Sequence, residues 1–181
     1  MVTIKNQQRN DQKSEPKNDS KIDDQIDELV SSGENKYLIF YLGEEMYGTP
    51  LTSVREVIEY HEPKPVPNMV GYFEGVINVR GEIIGVVDLR KRFGIKSERK
   101  CESKLIFDTA RGPLAAKVDH VEDVATIRAD NIEKNPNLKQ DVPAEYFIGI
   151  GRAEGQLVNL IQLDQLFTEE ELVRPQWGAP S

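Results

Sequence analysis

From residue 36 onward the apolar residues come in short, dense runs broken by glycine, proline and acidic side chains, without the 3.6-residue spacing of long helices. Lys36-Tyr37-Leu38-Ile39-Phe40-Tyr41-Leu42 is aromatic or aliphatic at nearly every position and predicts a strand. Gly43-Glu44-Glu45 predicts the turn into Met46-Tyr47-Gly48. Val54 to Tyr60 predicts another strand, which ends at Pro63-Lys64-Pro65-Val66-Pro67. There every second residue lacks an N–H, so no ladder is expected to continue. Gly75–Val79 and Glu82–Val87 flank Arg80-Gly81 and predict a hairpin with glycine at its tip. The second arm is a continuous apolar run, the pattern of a strand covered on both faces. Asp88 to Phe93 then predicts one or two helical turns, with Asp88 as N-cap and Gly94 as stop.

Residues 72–93 (YFEGVINVRGEIIGVVDLRKRF) align without a gap on residues 146–167 (YFIGIGRAEGQLVNLIQLDQLF). The identical pairs are Tyr72/Tyr146, Phe73/Phe147, Gly75/Gly149, Gly81/Gly155, Leu89/Leu163 and Phe93/Phe167. Aliphatic pairs such as Val76/Ile150, Ile84/Val158 and Val87/Ile161 lie between them. A weaker echo joins Val54-Arg55-Glu56-Val57 to Val121-Glu122-Asp123-Val124. Glycines, aromatics and aliphatics in one register predict a duplicated unit. The fold class is mainly β: two similar lobes, each of about five short strands closed into a small barrel and finished by a helix. The copies differ at the hairpin tip, Arg80 against Glu154, and in the longer second connection from Asn131 to Glu145. Loops on a shared frame are where separate tasks can sit.

Composition sharpens this picture in three places. Residues 1–35 carry five bases against eight acids and few apolar side chains, so they predict a disordered acidic tail. Ile22, Ile26, Leu29 and Val30 have the spacing of a short amphipathic helix, but a lone helix is costly to start. The ordered domain is expected over 36–173, and 174–181 as a C-terminal tail. Trp177 in that tail could equally pack back on a barrel or stay free. The whole chain has a net charge of −8, which excludes a nucleic-acid-binding face. It contains no apolar run of membrane-spanning length, and its first residues lack a signal-peptide h-region. The default reading is a soluble cytosolic protein.

The candidate chemistry is sparse. His61 and His120 have no second histidine or cysteine at ligand spacing, so no metal site is expected. Cys101, the only cysteine, lies in the polar stretch Ser97–Ser103 and reads as an incidental surface thiol. Gly149-Ile150-Gly151-Arg152-Ala153-Glu154-Gly155 has the wrong spacing for a dinucleotide loop and lies in a hairpin. A binding module without cofactors, rather than an enzyme, is the expectation.

Gly75-Val76-Ile77-Asn78-Val79-Arg80-Gly81 followed by Val86-Val87-Asp88-Leu89-Arg90 resembles the signature of CheW-type chemotaxis coupling proteins. So do Phe40 to Gly48 with Val54-Arg55-Glu56-Val57, and Tyr146-Phe147-Ile148-Gly149. The resemblance spans about Tyr37 to Leu172. Gly85 departs from the proline usual in the family, and Pro50 from a polar residue. The resemblance implies two SH3-like five-stranded barrels with a hydrophobic core between them, and no catalysis. It implies a cytoplasmic adaptor, monomeric when free, that bridges the tip of methyl-accepting chemotaxis receptors to the regulatory domain of the histidine kinase CheA. It is recruited to membrane receptor arrays without inserting into the membrane. By the family's pattern, Leu38, Leu51, Val54, Val57 and Val121 form an apolar receptor groove where the barrels meet. Leu38 fits a plain core position as well. Glu56, Gly75 and Arg80 are the expected kinase-coupling positions, with Arg80 paired to Glu56. A coupling protein of a pathway other than swimming, such as twitching motility or development, would use the same scaffold.

Overall fold

In the computed structural model, residues 34–134, 146–168 and 171 are described. Residues 1–33, residues 135–145 and the segment bearing Trp177 lie outside them, and with them most of the expected tail and of the long connection; Glu34 and Asn35, expected in the tail, instead begin the first strand, paired with Arg128 and Ile127. The strands are β1 (Glu34–Leu42), β2 (Glu45–Pro50), β3 (Glu56–Glu59), β4 (Phe73–Val79) and β5 (Glu82–Asp88). After α1 (Leu89–Phe93) come β6 (Ser103–Thr109), β7 (Gly112–Val118), β8 (His120–Arg128), β9 (Phe147–Ala153) and β10 (Gln156–Ile161). They form two five-stranded sheets, ordered β8-β1-β2-β10-β9 and β3-β6-β7-β5-β4. Each curls into a small SH3-like barrel.

The two orders are the same pattern. Each has two antiparallel hairpins joined by one parallel pairing, Tyr47 and Gly48 of β2 against Asn159 and Leu160 of β10, and β7 against β5. The copies at 72–93 and 146–167 therefore occupy equivalent places. The barrels are not built from consecutive strands, however. β1 and β2 belong with β8–β10, so the chain leaves one barrel, completes the other, and returns.

Alternation explains the unbroken apolar runs. Along β1, Tyr37 and Ile39 face the interior of their own barrel with Ile127, Val158 and Leu160. Leu38, Phe40 and Leu42 face the other way, into a larger core that also takes Leu105, Phe107 and Val118 from the second barrel. Ile84, Val86, Ile106 and Ala115 fill that second barrel. Three dry layers result, and the middle one joins the barrels.

Barrel closure decides the Pro-Lys-Pro stretch. Lys64 carries the only N–H among Pro63, Lys64 and Pro65; it donates to Val76 O at 2.8 Å, and Val76 N donates back at 2.9 Å. A single bridge thus survives where no ladder was expected. The predicted strand Val54–Tyr60 is shorter than its pattern, because Leu51–Ser53 forms a 3₁₀ turn after Pro50. Gly85, in place of the family's proline, is a regular strand residue, and the Phe73 ring fills the space above it. A Cβ there would lie 2.9 Å from that ring.

The two repeats end differently, which corrects the expectation of a helix in each. Asp88 accepts hydrogen bonds from Arg90 N (2.9 Å) and Lys91 N (3.3 Å), and α1 follows, stopped by Gly94 in the left-handed region. Gln162 stands at the equivalent place without such a cap, and only a 3₁₀ turn, Leu163–Gln165, forms. Cys101 also needs correction. It is buried, its thiol donates toward Asp119 Oδ1 at 3.7 Å, and burial pushes that thiol up to about 11. Asp119 also accepts from Gly43 N (2.6 Å) and pairs with Arg90 Nη1 (3.1 Å), tying the β1–β2 turn to α1.

Candidate functional site

One edge strand of each sheet, β3 in one and β8 in the other, borders the middle core, and the part-exposed residues along that border are called its mouth. Pairing fixes which way each residue faces. Val57 of β3 is opposite Leu105, a fully buried residue of the middle core. Val57 therefore sits on the same face, yet 43% of it is exposed. On β8, Val124 is opposite Leu38 and Val121 is opposite Phe40, with an irregularity between them that brings both valines to one face. Val121 packs partly on the middle core, and Val124 is 40% exposed. Val54, next to β3, packs on the same core, and Leu51 in the preceding turn is exposed.

Of the five groove positions expected from the resemblance, Val54, Val57 and Val121 line this mouth, and Leu51 lies on the turn beside it. Leu38 is a buried member of the core beneath them. Val124 was missed, although the echo between Val54–Val57 and Val121–Val124 pairs it with Val57. Each half of the mouth is one copy of the same short pattern. Such a cleft, apolar and part-covered, suits the side chains of a helix laid across it.

Glu56 and Arg80 come together elsewhere, across the open edge of the second barrel. β3 and β4 are the outermost strands of that sheet. The Arg80 fork spans them, with Nη1 donating to Glu56 Oε1 at 3.0 Å and Nη2 to Oε2. These two donors hold the Glu56 carboxyl below its ordinary range. Arg80 is mostly exposed, and its neighbours Arg55, Glu82 and Asp108 form a second surface cluster, with Arg55 at 3.2 Å from Glu82 and 3.6 Å from Asp108. Arg80 has a positive φ of 50°, and Asn78 Oδ1 accepts from Gly81 N at 2.9 Å within the turn. Glu154 at the other tip has φ of 49°, so this conformation belongs to the turn type and not to the arginine.

Gly75 has a structural place. Its φ is +139°, and a Cβ would lie 2.0 Å from Lys64 O, the acceptor of the closing bridge. Gly149 repeats this with Glu133 O at 2.6 Å, where Glu133 bridges Ile150. Two exposed aliphatics, Ile83 and Leu157, also stand at matching places just past the two tips, and the aliphatic register of the repeat already pairs them.

The family model that matches this chain is the CheW-like domain, over residues 36–171. The chain is 27% identical to the chemotaxis protein CheW of Treponema pallidum over 79% of its length and 88% of that protein. It is 30% identical to protein FrzA of Myxococcus xanthus over 74% of its length and 85% of that protein. The crystal structure of the scaffolding protein TtCheW from Thermoanaerobacter tengcongensis superposes with a TM-score of 0.68 at 32% identity. It covers 74% of this chain and 88% of that one. A duplicated double barrel, the family's tip and strand motifs in place, and a match over residues 36–171 leave one conclusion: the chain belongs to the CheW-like family of chemotaxis adaptor proteins.

Proposed function

We propose that this adaptor couples the cytoplasmic tip of methyl-accepting chemotaxis receptors to the regulatory domain of the histidine kinase CheA, and supports receptor control of autophosphorylation. The observation that supports it most is the mouth of the middle core. Two edge strands present valines beside the buried middle layer, and part of their area stays exposed among the described residues. A receptor tip is a helical hairpin, and covering half-exposed valines is worth about 1 kcal/mol each. The receptor groove in this reading comprises Leu51, Val54, Val57 and Val121 over Leu38. The kinase-coupling constellation is Arg80 with Glu56, and Gly75 contributes by letting Lys64 close the barrel beneath the hairpin. The protein works by contact and not by catalysis, in the cytoplasm and at receptor arrays, and is monomeric when free.

The test is Val54→Asp. A carboxylate in this cleft loses its hydration when a helix covers it, so receptor co-sedimentation should fall at least tenfold while the circular dichroism spectrum is unchanged. Undiminished co-sedimentation by the folded variant would sink the groove assignment. A second reading follows from the likeness to FrzA: the same adaptor in a chemosensory pathway other than swimming, such as twitching motility or development. A pull-down from the native cell separates the two by the kinase and receptors that accompany the chain.

A further inference from the structure

Arg92, in α1, lies against a pair of rings that touch each other, its guanidinium carbon 5.0 Å from the Tyr72 centroid and 5.8 Å from that of Phe167, with the two centroids 5.9 Å apart. The side chain is only 18% exposed. Both terminal nitrogens of its fork are used on the segment that leaves β10, while Nε is buried without a partner among the described residues. Nη2 donates to Leu166 O at 3.2 Å and to Glu171 Oε2 at 3.3 Å, and Nη1 lies 3.0 Å from Glu171 Oε1. Glu171 also accepts from Tyr72 Oη (3.1 Å), Thr168 N (2.9 Å) and Thr168 Oγ1 (3.2 Å). Thr168 Oγ1 in turn accepts from Glu171 N at 3.3 Å, a reciprocal capping box. Burial alone would raise the Glu171 carboxyl. The Thr168 and Tyr72 donors and Arg92 outweigh it and hold the group below its ordinary range, while burial and Glu171 push the Tyr72 phenol up to about 12.

The same segment touches the candidate groove at its other end. Gln162 Nε2 donates to Asp164 Oδ1 (2.7 Å) and to Ser53 Oγ (3.3 Å), and Ser53 Oγ donates to Asp164 Oδ1 (3.3 Å). Ser53 stands between Leu51 and Val54. For stability alone, an apolar side chain of similar length would serve against the two aromatic rings, because a buried guanidinium gives back much of its pairing energy in desolvation. What an apolar residue cannot do is fix a carbonyl and a carboxylate together with one planar fork.

We propose that Arg92 is a positioning residue for the receptor groove: by pinning Leu166 and Glu171 it holds the Gln162–Leu166 turn against Ser53, and so sets the Leu51–Val54 lip. The proposal rests on the groove reading above, but its first readout does not. Val54 N donates to Leu51 O at 3.2 Å and reports the lip directly. In Arg92→Met, hydrogen exchange at the Val54 amide should rise at least tenfold with the fold retained. The dissociation constant for a purified receptor-tip hairpin should rise about tenfold. Arg92→Lys, which keeps the charge without the fork, should fall between. If Arg92→Met unfolds, the isosteric Glu171→Gln carries the same measurements. Unchanged Val54 exchange, or Arg92→Lys indistinguishable from the parent, overturns the proposal. Altered exchange with unaltered hairpin binding overturns it too if Val54→Asp has abolished binding; if Val54→Asp also binds normally, it is the groove reading that fails.

Discussion

Gly75 separates two reasons for which a residue can matter. In the family's pattern it stands beside the signalling arginine, yet its own geometry concerns closure. A methyl group 2.0 Å from the Lys64 carbonyl would drive the closing segment off β4, on a backbone that L side chains rarely adopt. Gly75→Ala should therefore lower stability by about 3 kcal/mol, combining backbone strain with overpacking. Gly81→Ala is the comparison, since φ is also positive there but nothing lies within 4 Å of the added carbon. It should cost about 1 kcal/mol. Thermal unfolding of both checks this, and equal melting temperatures would refute the closure argument. Which glycines recur was legible in the sequence, through Gly75/Gly149. What each one avoids was not, because Lys64 and Glu133 reach them across the barrel opening. Cys101 shows the same limit. Its neighbours in sequence are polar, yet it is buried, and its thiol's partner is Asp119, eighteen residues away.

Elements whose reason is local were read correctly in kind. β1 and β5 are unbroken apolar runs because each has a dry layer on both faces, and α1 begins where Asp88 can cap it. The membership of β1 and β2 was not legible, since their link to the second copy is a two-residue parallel pairing across more than a hundred residues. Periodicity records that a face is buried, never against what. The hairpin tip was legible as far as its residues, and the pair it makes gives the prediction at this scale. Arg80 is 73% exposed on its side chain, so reversing it to glutamate should leave the melting temperature little changed. If the fork to Glu56 orients the tip, Arg80→Glu should abolish receptor control of the kinase, and the exchange Arg80→Glu with Glu56→Arg should recover much of it. Kinase assays on reconstituted arrays decide. Loss of control in both variants would mean that the charge itself, and not the tip's orientation, meets the partner.

At the scale of the molecule, duplication makes one surface that neither barrel has alone. The middle core is bordered on both sides by equivalent, part-exposed valines: Val54 and Val57 at β3 from one copy, Val121 and Val124 on β8 from the other. The net charge of −8 does not point to this border, which is apolar and set by topology. If a receptor hairpin is gripped from both sides, the second copy must contribute as the first does. Val124 is 40% exposed, so Val124→Asp should leave the fold intact, with a stability change of about 0.5 kcal/mol. Binding of the receptor hairpin should still weaken at least tenfold, as for Val54→Asp, because a carboxylate would be covered without a partner. Val70 is as exposed, at 49%, but lies in the loop before β4 and is not among the residues packed on the middle core. Val70→Asp should bind like the parent, which guards against a general effect of added negative charge on an already acidic chain. Normal binding by Val124→Asp beside lost binding by Val54→Asp would confine the contact to the β3 side, and the pseudo-symmetry of the cleft would then be a relic of the duplication with no part in recognition.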